Sequence, residues 1–486
     1  MNRSLILRNL CFVSLFVCVA VVNVVSQVET PPAPAAPKTL TVPAVQEKKL
    51  PNGLTVSVIE RKSSPIVTVQ LLVRTGASTE PVSKAGLANL TADLLTKGTQ
   101  TRSATQVAND MAFLGSELNT GAGWNGSTVS FTATPDKLSQ ALAVMADVVL
   151  NPSFRQEELD LLKSQTLDEL KSAMKQPGFI ANYVAAKYSF NEHPAGGTPD
   201  SIANISRADV VAFHDAYAPA NSVLIFAGDI TLEQASALAA KAFGSWKAAA
   251  PSAKGEGSSI GRGQTSDVGR ILVVDLPNSG QAAVTYALRV PEVSRNDKRF
   301  YDASVLNSVL GGGYSSRLNY EIRIKRGLSY GAGSSFGWRS SNANFSTRAQ
   351  TKNESAAQVA ELTVAEIKRL RSDAVSADEL TPRKSVLTGN FGRNLETTSG
   401  LASAISDLYS FGIPPAELNK YMSNVNGVSD SQIREFASNN LTGGDLIIVG
   451  DYSVFKDDLA KRFPNVKVDV IKADELDLSK DNLRKQ

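Results

Sequence analysis

Two stretches of this chain place side chains where they could do chemistry. In Gly86-Leu-Ala-Asn-Leu-Thr-Ala-Asp-Leu-Leu-Thr-Lys-Gly-Thr99, a helix over 85–95 would turn Leu87, Leu90 and Leu94 toward a core. Asn89 and Asp93, four apart, would share another face with Ala92 beside them. That spacing suits two metal ligands and an adjacent base, as in an H-x-x-E-H helix. The side chains present are an amide, a methyl group and a single carboxylate. The second stretch, Arg323-Ile-Lys-Arg-Gly-Leu-Ser-Tyr330, offers two hydrogen-bond donors: a guanidinium with fixed charge and a planar fork, and a phenol. The chain has only two histidines, His193 and His214, so counting excludes a centre built on histidines close together in sequence. Both cysteines, Cys11 and Cys18, lie near the N-terminus. Removal of a leader would therefore leave no thiolate for a metal and no disulfide.

The elements that must position these groups come in two halves of similar order, about 45–250 and about 268–472. In the first, the turn signal Pro51-Asn-Gly53 precedes strands predicted at 54–59 and 65–74. Helices are predicted at 103–114, 136–150 and 156–175 from apolar residues at three- and four-residue steps. In the second, strands at 271–275 and 282–290 precede helices at 300–310, 355–372 and 376–390, the last requiring Pro382 near its start. Asn221-Ser-Val-Leu-Ile-Phe-Ala-Gly-Asp229 closes the first half and Asp445-Leu-Ile-Ile-Val-Gly-Asp451 the second, each followed by a helical stretch ending at Phe243 or Phe463. The pattern predicts an α+β fold with helices packed on mostly antiparallel sheets. A Gly-, Ser- and Ala-rich segment at 251–267 reads as the linker, and 473–486 as a charged tail.

The chain resembles the M16 family of zinc peptidases, which includes pitrilysin, insulin-degrading enzyme and the mitochondrial processing peptidase. The likeness runs through Gly86-Leu-Ala88, Lys97-Gly-Thr99, Leu114-Gly115, Leu118-Asn119, His193-Pro194, Phe213-His214, Tyr217-Ala-Pro-Ala-Asn221, Gly228-Asp229, Gln281, Gly311-Gly-Gly313, Ser316-Arg-Leu318 and Gly327-Leu-Ser-Tyr330. It implies two homologous M16 domains, the first with a degenerate zinc site. Asn89 stands where the family has its first ligand histidine, Ala92 where it has the general-base glutamate, and Asp93 where it has the second histidine. Glu169 keeps the position of the downstream ligand glutamate, one turn after Gln165. Two carboxylates are a remnant for at most a loose hard cation. Loss of the base alone removes about 10²–10⁴-fold of catalysis.

The same resemblance implies that Arg323 and Tyr330 face a zinc across a cavity, orient a peptide carbonyl and stabilise the oxygen that gains charge as water attacks. Lys325 and Arg326 read as solvated neighbours, and His193 and His214 as packing or hydrogen-bonding residues. Gly311, Gly312 and Gly313 either guide an extended peptide or only end a helix. Leu114-Gly-Ser-Glu-Leu-Asn119 matches the region where the family pairs substrate with an edge strand.

The expected function is that of a non-catalytic subunit in a heterodimeric M16 peptidase. The chain itself would hold no cofactor. Zinc would sit in a partner M16 subunit, and the substrate would be an unstructured peptide or protein segment. The alternative is a structural, assembly or peptide-binding protein that reuses the fold without proteolysis. A formal net charge of +3 over 486 residues, with no Lys/Arg block, gives no case for nucleic acid. Arg3, Arg8 and the apolar run at 11–25 predict a signal at 1–26, with Thr30 to Pro43 in a Pro/Ala-rich tether at 27–44. Export across an inner membrane into a periplasm follows, with an uncleaved N-terminal anchor as the alternative. No later run is apolar enough to span a bilayer.

Overall fold

The structure is a computed structural model that describes residues 41–247 and 266–485. The predicted signal, nearly all of the tether and most of the linker lie outside the described residues. In the first half the strands are β1 (Gln46–Lys49), β2 (Thr55–Glu60), β3 (Val67–Val73), β4 (Asn119–Ala122), β5 (Ser127–Ala133) and β6 (Ser222–Gly228). The second half supplies β7 (Val268–Asp275), β8 (Ala282–Pro291), β9 (Ser329–Trp338), β10 (Asn342–Thr351), β11 (Gly444–Gly450) and β12 (Val468–Lys472). They form two sheets of order β1-β2-β6-β3-β5-β4 and β12-β7-β11-β8-β10-β9.

The two sheets share one strand order over five of their strands, β2-β6-β3-β5-β4 and β7-β11-β8-β10-β9. The apolar runs expected to close each half are β6 and β11, and every residue of both is buried. Each pairs in parallel with an early strand of its half, β2 or β7, and antiparallel with the next, β3 or β8. A strand buried on both faces reads as a continuous apolar run, which is why these two stand out in the sequence. The halves differ at one edge: β1 runs antiparallel to β2, whereas β12 arrives from the C-terminal end and runs parallel to β7.

The helices of the first half are α1 (Leu87–Leu94), α2 (Ala104–Phe113), α3 (Leu138–Leu150), α4 (Gln156–Ala173), α5 (Pro177–Tyr188), α6 (Pro199–Asn204), α7 (Arg207–Asp215) and α8 (Leu232–Phe243). Those of the second are α9 (Phe300–Leu310), α10 (Ala356–Ser372), α11 (Ala377–Asn394), α12 (Thr398–Ser410), α13 (Tyr421–Gly427), α14 (Asp430–Asn440) and α15 (Tyr452–Arg462). No helix among the described residues is long and apolar enough to cross a membrane.

Each half lends one helix to the other. α5 leaves the first half and packs on β8, β10 and β11. Its Ile180 and Val184 are fully buried in the same cluster as Ala283, Ala287, Ile447 and Val449. α12 makes the return crossing onto β3 and β6. There Thr398 Oγ1 lies 2.8 Å from Thr68 Oγ1, and the Tyr409 hydroxyl donates to Ser57 Oγ at 3.0 Å. Burial of this kind stabilises by about 25 cal/mol per Å² of apolar surface removed from water. The exchange therefore ties the two halves into one body.

Two expectations need correction. Pro382 is the sixth residue of α11, not part of its first turn. It is tolerated because that side of the helix faces solvent, where water can take up the carbonyl that proline leaves unpaired. Over its described residues, 473–485, the C-terminal segment is not a free charged tail. Leu476, Leu478 and Leu483 are buried in the first core, and Arg484 Nη2 pairs with Asp469 at 2.8 Å. The leucines are spaced among charges, so composition alone hides a docked segment.

Candidate functional site

α1 forms where the leucine stripe predicts it, with Leu87, Leu90 and Leu94 buried. Its N-cap is Gly86 in the left-handed region at φ 92°, which has no side chain to cap with. The cap comes from Glu80 instead. Its Oε1 accepts from Gly86 N at 2.8 Å and Oε2 from Ala88 N at 2.7 Å, while His193 Nε2 lies 3.0 Å from Oε1. The Glu80 side chain is 0% exposed. A carboxylate at a helix N-terminus satisfies free N–H groups and is favoured by the dipole.

The positions that would face a metal are otherwise engaged. Asn89 Nδ2 donates to the Ala195 carbonyl at 3.0 Å. Ala92 is fully buried and carries no proton acceptor. Asp93 is half-buried, and burial raises its carboxyl above the usual range; Lys97 partly offsets this and the nearby Glu169 adds to it. Among the described residues no group of three or more His, Cys, Asp or Glu side chains could hold a metal ion. The donor set therefore does not fit zinc, which takes four ligands in tetrahedral array. The histidines serve elsewhere. His193 sits beside Trp124 with ring centroids 5.0 Å apart. His214 Nε2 lies 2.8 Å from the Val149 carbonyl, and burial lowers its pKa.

The second set of residues converges. α9 ends at Gly311, where Gly311 N and Gly312 N both donate to the Asn307 carbonyl. A Cβ at Gly311 would strike Ser334 of β9, so the glycine lets the helix end sit on the sheet. The chain then makes a short helical turn, Arg317–Asn319, held by a two-pronged pair in which Arg317 Nε and Nη2 each reach Glu379 at 2.8 Å. It continues as a π-helical segment, Tyr320–Ile324, which carries Arg323. Such segments occur often at functional sites. The Arg323 guanidinium lies 5.1 Å from the Tyr314 ring centroid, within cation–π range. Gly327, at φ 64°, reverses the chain into β9, where Tyr330 is the second residue and 91% exposed.

Gly311, Gly312, Gly313, Arg323 and Tyr330 all line one cleft of about 900 Å³. Gly178, Phe179 and Asn182 of the borrowed helix α5 line it too. None of Asn89, Ala92, Asp93 or Glu169 lines it. The edge-strand match at 114–119 proves to be the approach to the edge strand β4, with only Asn119 inside it. Three participants were not read from the sequence: Glu80, Tyr314 and Arg348, which also lines the cleft.

Two sheets of matching strand order, one half with a helix that lacks metal ligands and the other with a cleft lined by Arg323 and Tyr330, define a duplicated α+β fold. The family model "Insulinase (Peptidase family M16)" matches residues 55–195, and "Peptidase M16 inactive domain" matches residues 204–387. The chain belongs to peptidase family M16 and lacks its catalytic motif. A Mycobacterium tuberculosis protein called an uncharacterized zinc protease is 28% identical over 380 residues, 77% of this chain and 85% of that one. One from Bacillus subtilis is 24% identical over 357 residues, 72% and 85% of the two chains. Among solved structures, the peptidase M16 inactive domain from Pseudomonas fluorescens matches with a TM-score of 0.74 at 24% identity, covering 84% of this chain and 98% of that one. A protease from Helicobacter pylori matches with a TM-score of 0.77 at 21% identity, over 84% of this chain and all of that one. At these identities the two structures show the fold alone.

Proposed function

We propose that this chain is the non-catalytic subunit of a heterodimeric M16 zinc peptidase, exported across the inner membrane and working in the periplasm. Its partner is an M16 chain with an intact zinc site. This chain supplies Arg323 and Tyr330 to an unstructured peptide held at the partner's zinc. The observation that carries this reading is the split between the two sites. Each metal-facing position of α1 is amide, methyl or lone carboxylate, yet Arg323 and Tyr330 line an open cleft with three glycines. The phenol and guanidinium contribute by donating to an oxygen whose charge grows during attack. They hold no metal and move no proton from water.

The test is reconstitution. The purified chain alone should leave an unstructured peptide intact, and cleavage should appear when a zinc-bearing M16 chain from the same source is added. Elemental analysis of the chain alone should find far less than one zinc per polypeptide. Chelator-sensitive proteolysis by the solitary chain, or one tightly bound zinc, would overturn the assignment.

A further inference from the structure

The cleft has a one-sided charge. Its lining includes two guanidiniums, Arg323 and Arg348, and no Asp or Glu. This is not the habit of the surrounding wall. Arg317 is matched by Glu379, and Arg326 and Lys325 by Glu321. Neither Arg323 nor Arg348 has a carboxylate partner among the described residues.

Strand register explains how Arg348 reaches the cleft. In the β9–β10 pair Arg348 lies opposite Gly333, and partners across a ladder point to the same face. Gly333 presents no side chain, so the guanidinium can lie over β9: a Cβ built there would be 3.8 Å from Arg348 Nη2. Gly331 and Ser335 share that face at two-residue steps. The floor is thus low and polar, with one long cation standing on it, and it leaves room for a peptide at close approach. A cleft lined by one sign of charge focuses its field on whatever enters.

We propose that this cleft selects peptide segments bearing acidic side chains, with Arg348 as the residue that sets the preference. The inference rests on the reading of the chain as a peptide-holding subunit and names its substrate class. Arg348 acts in recognition, so removing it changes which peptides bind. Arg348 is exposed, so its replacement leaves the core untouched.

The experiment compares rhodamine-labelled unstructured peptides that differ only in carrying Glu, Gln or Lys at the same positions. Anisotropy with the isolated full chain should show the Glu peptide bound about tenfold more tightly than the Gln peptide at low salt, with the Lys peptide weakest. The advantage should shrink as salt rises. Arg348→Gln should bring the affinity of the Glu peptide close to that of the Gln peptide. Arg348→Lys should keep part of the preference. Equal affinity for the Glu and Gln peptides, no binding of either, or a preference that survives Arg348→Gln overturns the proposal. Cleavage rates of the same peptides by the two-chain mixture separate the two ideas. Acid-selective binding without cleavage in any mixture sinks only the peptidase-subunit reading. Cleavage indifferent to peptide charge sinks only the acid selection.

Discussion

Joint replacement of Arg323 by Ala and Tyr330 by Phe should lower kcat of the reconstituted two-chain peptidase by about 10²–10³-fold, the cost typical of losing preorganised donors to a developing oxyanion. KM should change much less. An interaction that strengthens only as charge develops lowers kcat and kcat/KM together, whereas one made equally to bound substrate raises KM alone. The single variants should each show most of the loss, because two donors on one oxygen act as a unit. Arg323→Lys should recover little, since a point charge does not reproduce a planar fork. Folding should be unaffected. Tyr330 is 91% exposed, and the aromatic contact of Arg323 is a partly solvated ring. Zinc content of the partner and assembly of the pair, measured by elemental analysis and sedimentation, should match the unmodified complex. Full activity in the double variant would remove the donor role and leave the cleft as a binding surface only.

The parts of this molecule that the sequence makes legible are those set by local pattern. The α1 stripe of Leu87, Leu90 and Leu94 and the buried runs of β6 and β11 announce themselves through spacing and composition. The emptied metal positions are legible because the frame around them is intact. What was missed depends on residues brought together from afar. Nothing in the text of α5 and α12 marks them as helices that cross to the opposite sheet, because either amphipathic face would suit its own half equally well. Arg348 could not be placed in the cleft without knowing that a glycine faces it across β9 and β10. The leucines at 476, 478 and 483 are too widely spaced among charges to show a period, and only the core they complete reveals them. Glu80 left a faint signal: a lone acid ahead of a helix whose own N-cap is glycine, and which must therefore find its acceptor elsewhere.

That carboxylate supports the second large prediction, on stability. Glu80→Ala should destabilise the fold by roughly 3–5 kcal/mol, the range seen when one partner of a buried, hydrogen-bonded charge network is removed. The argument is one of orphaned donors. Gly86 N and Ala88 N lose their buried acceptor, and His193 Nε2 loses its 3.0 Å contact with Glu80 Oε1. Gly86 cannot substitute as a cap, and water has no access to a side chain that is 0% exposed. Glu80→Gln keeps the shape and one acceptor oxygen but turns an amide NH₂ toward a backbone N–H. It should therefore lie between Ala and the natural residue, at about 1–3 kcal/mol. Urea titration reads both, with an unchanged m-value showing that the transition itself is the same. Because α1 no longer serves a metal, the effect should be confined to folding. Below its own unfolding midpoint, the Glu80→Gln chain should support peptide cleavage by the partner at the full rate. A Glu80→Ala variant within 1 kcal/mol of the natural chain would mean that α1 is held by its leucine stripe alone.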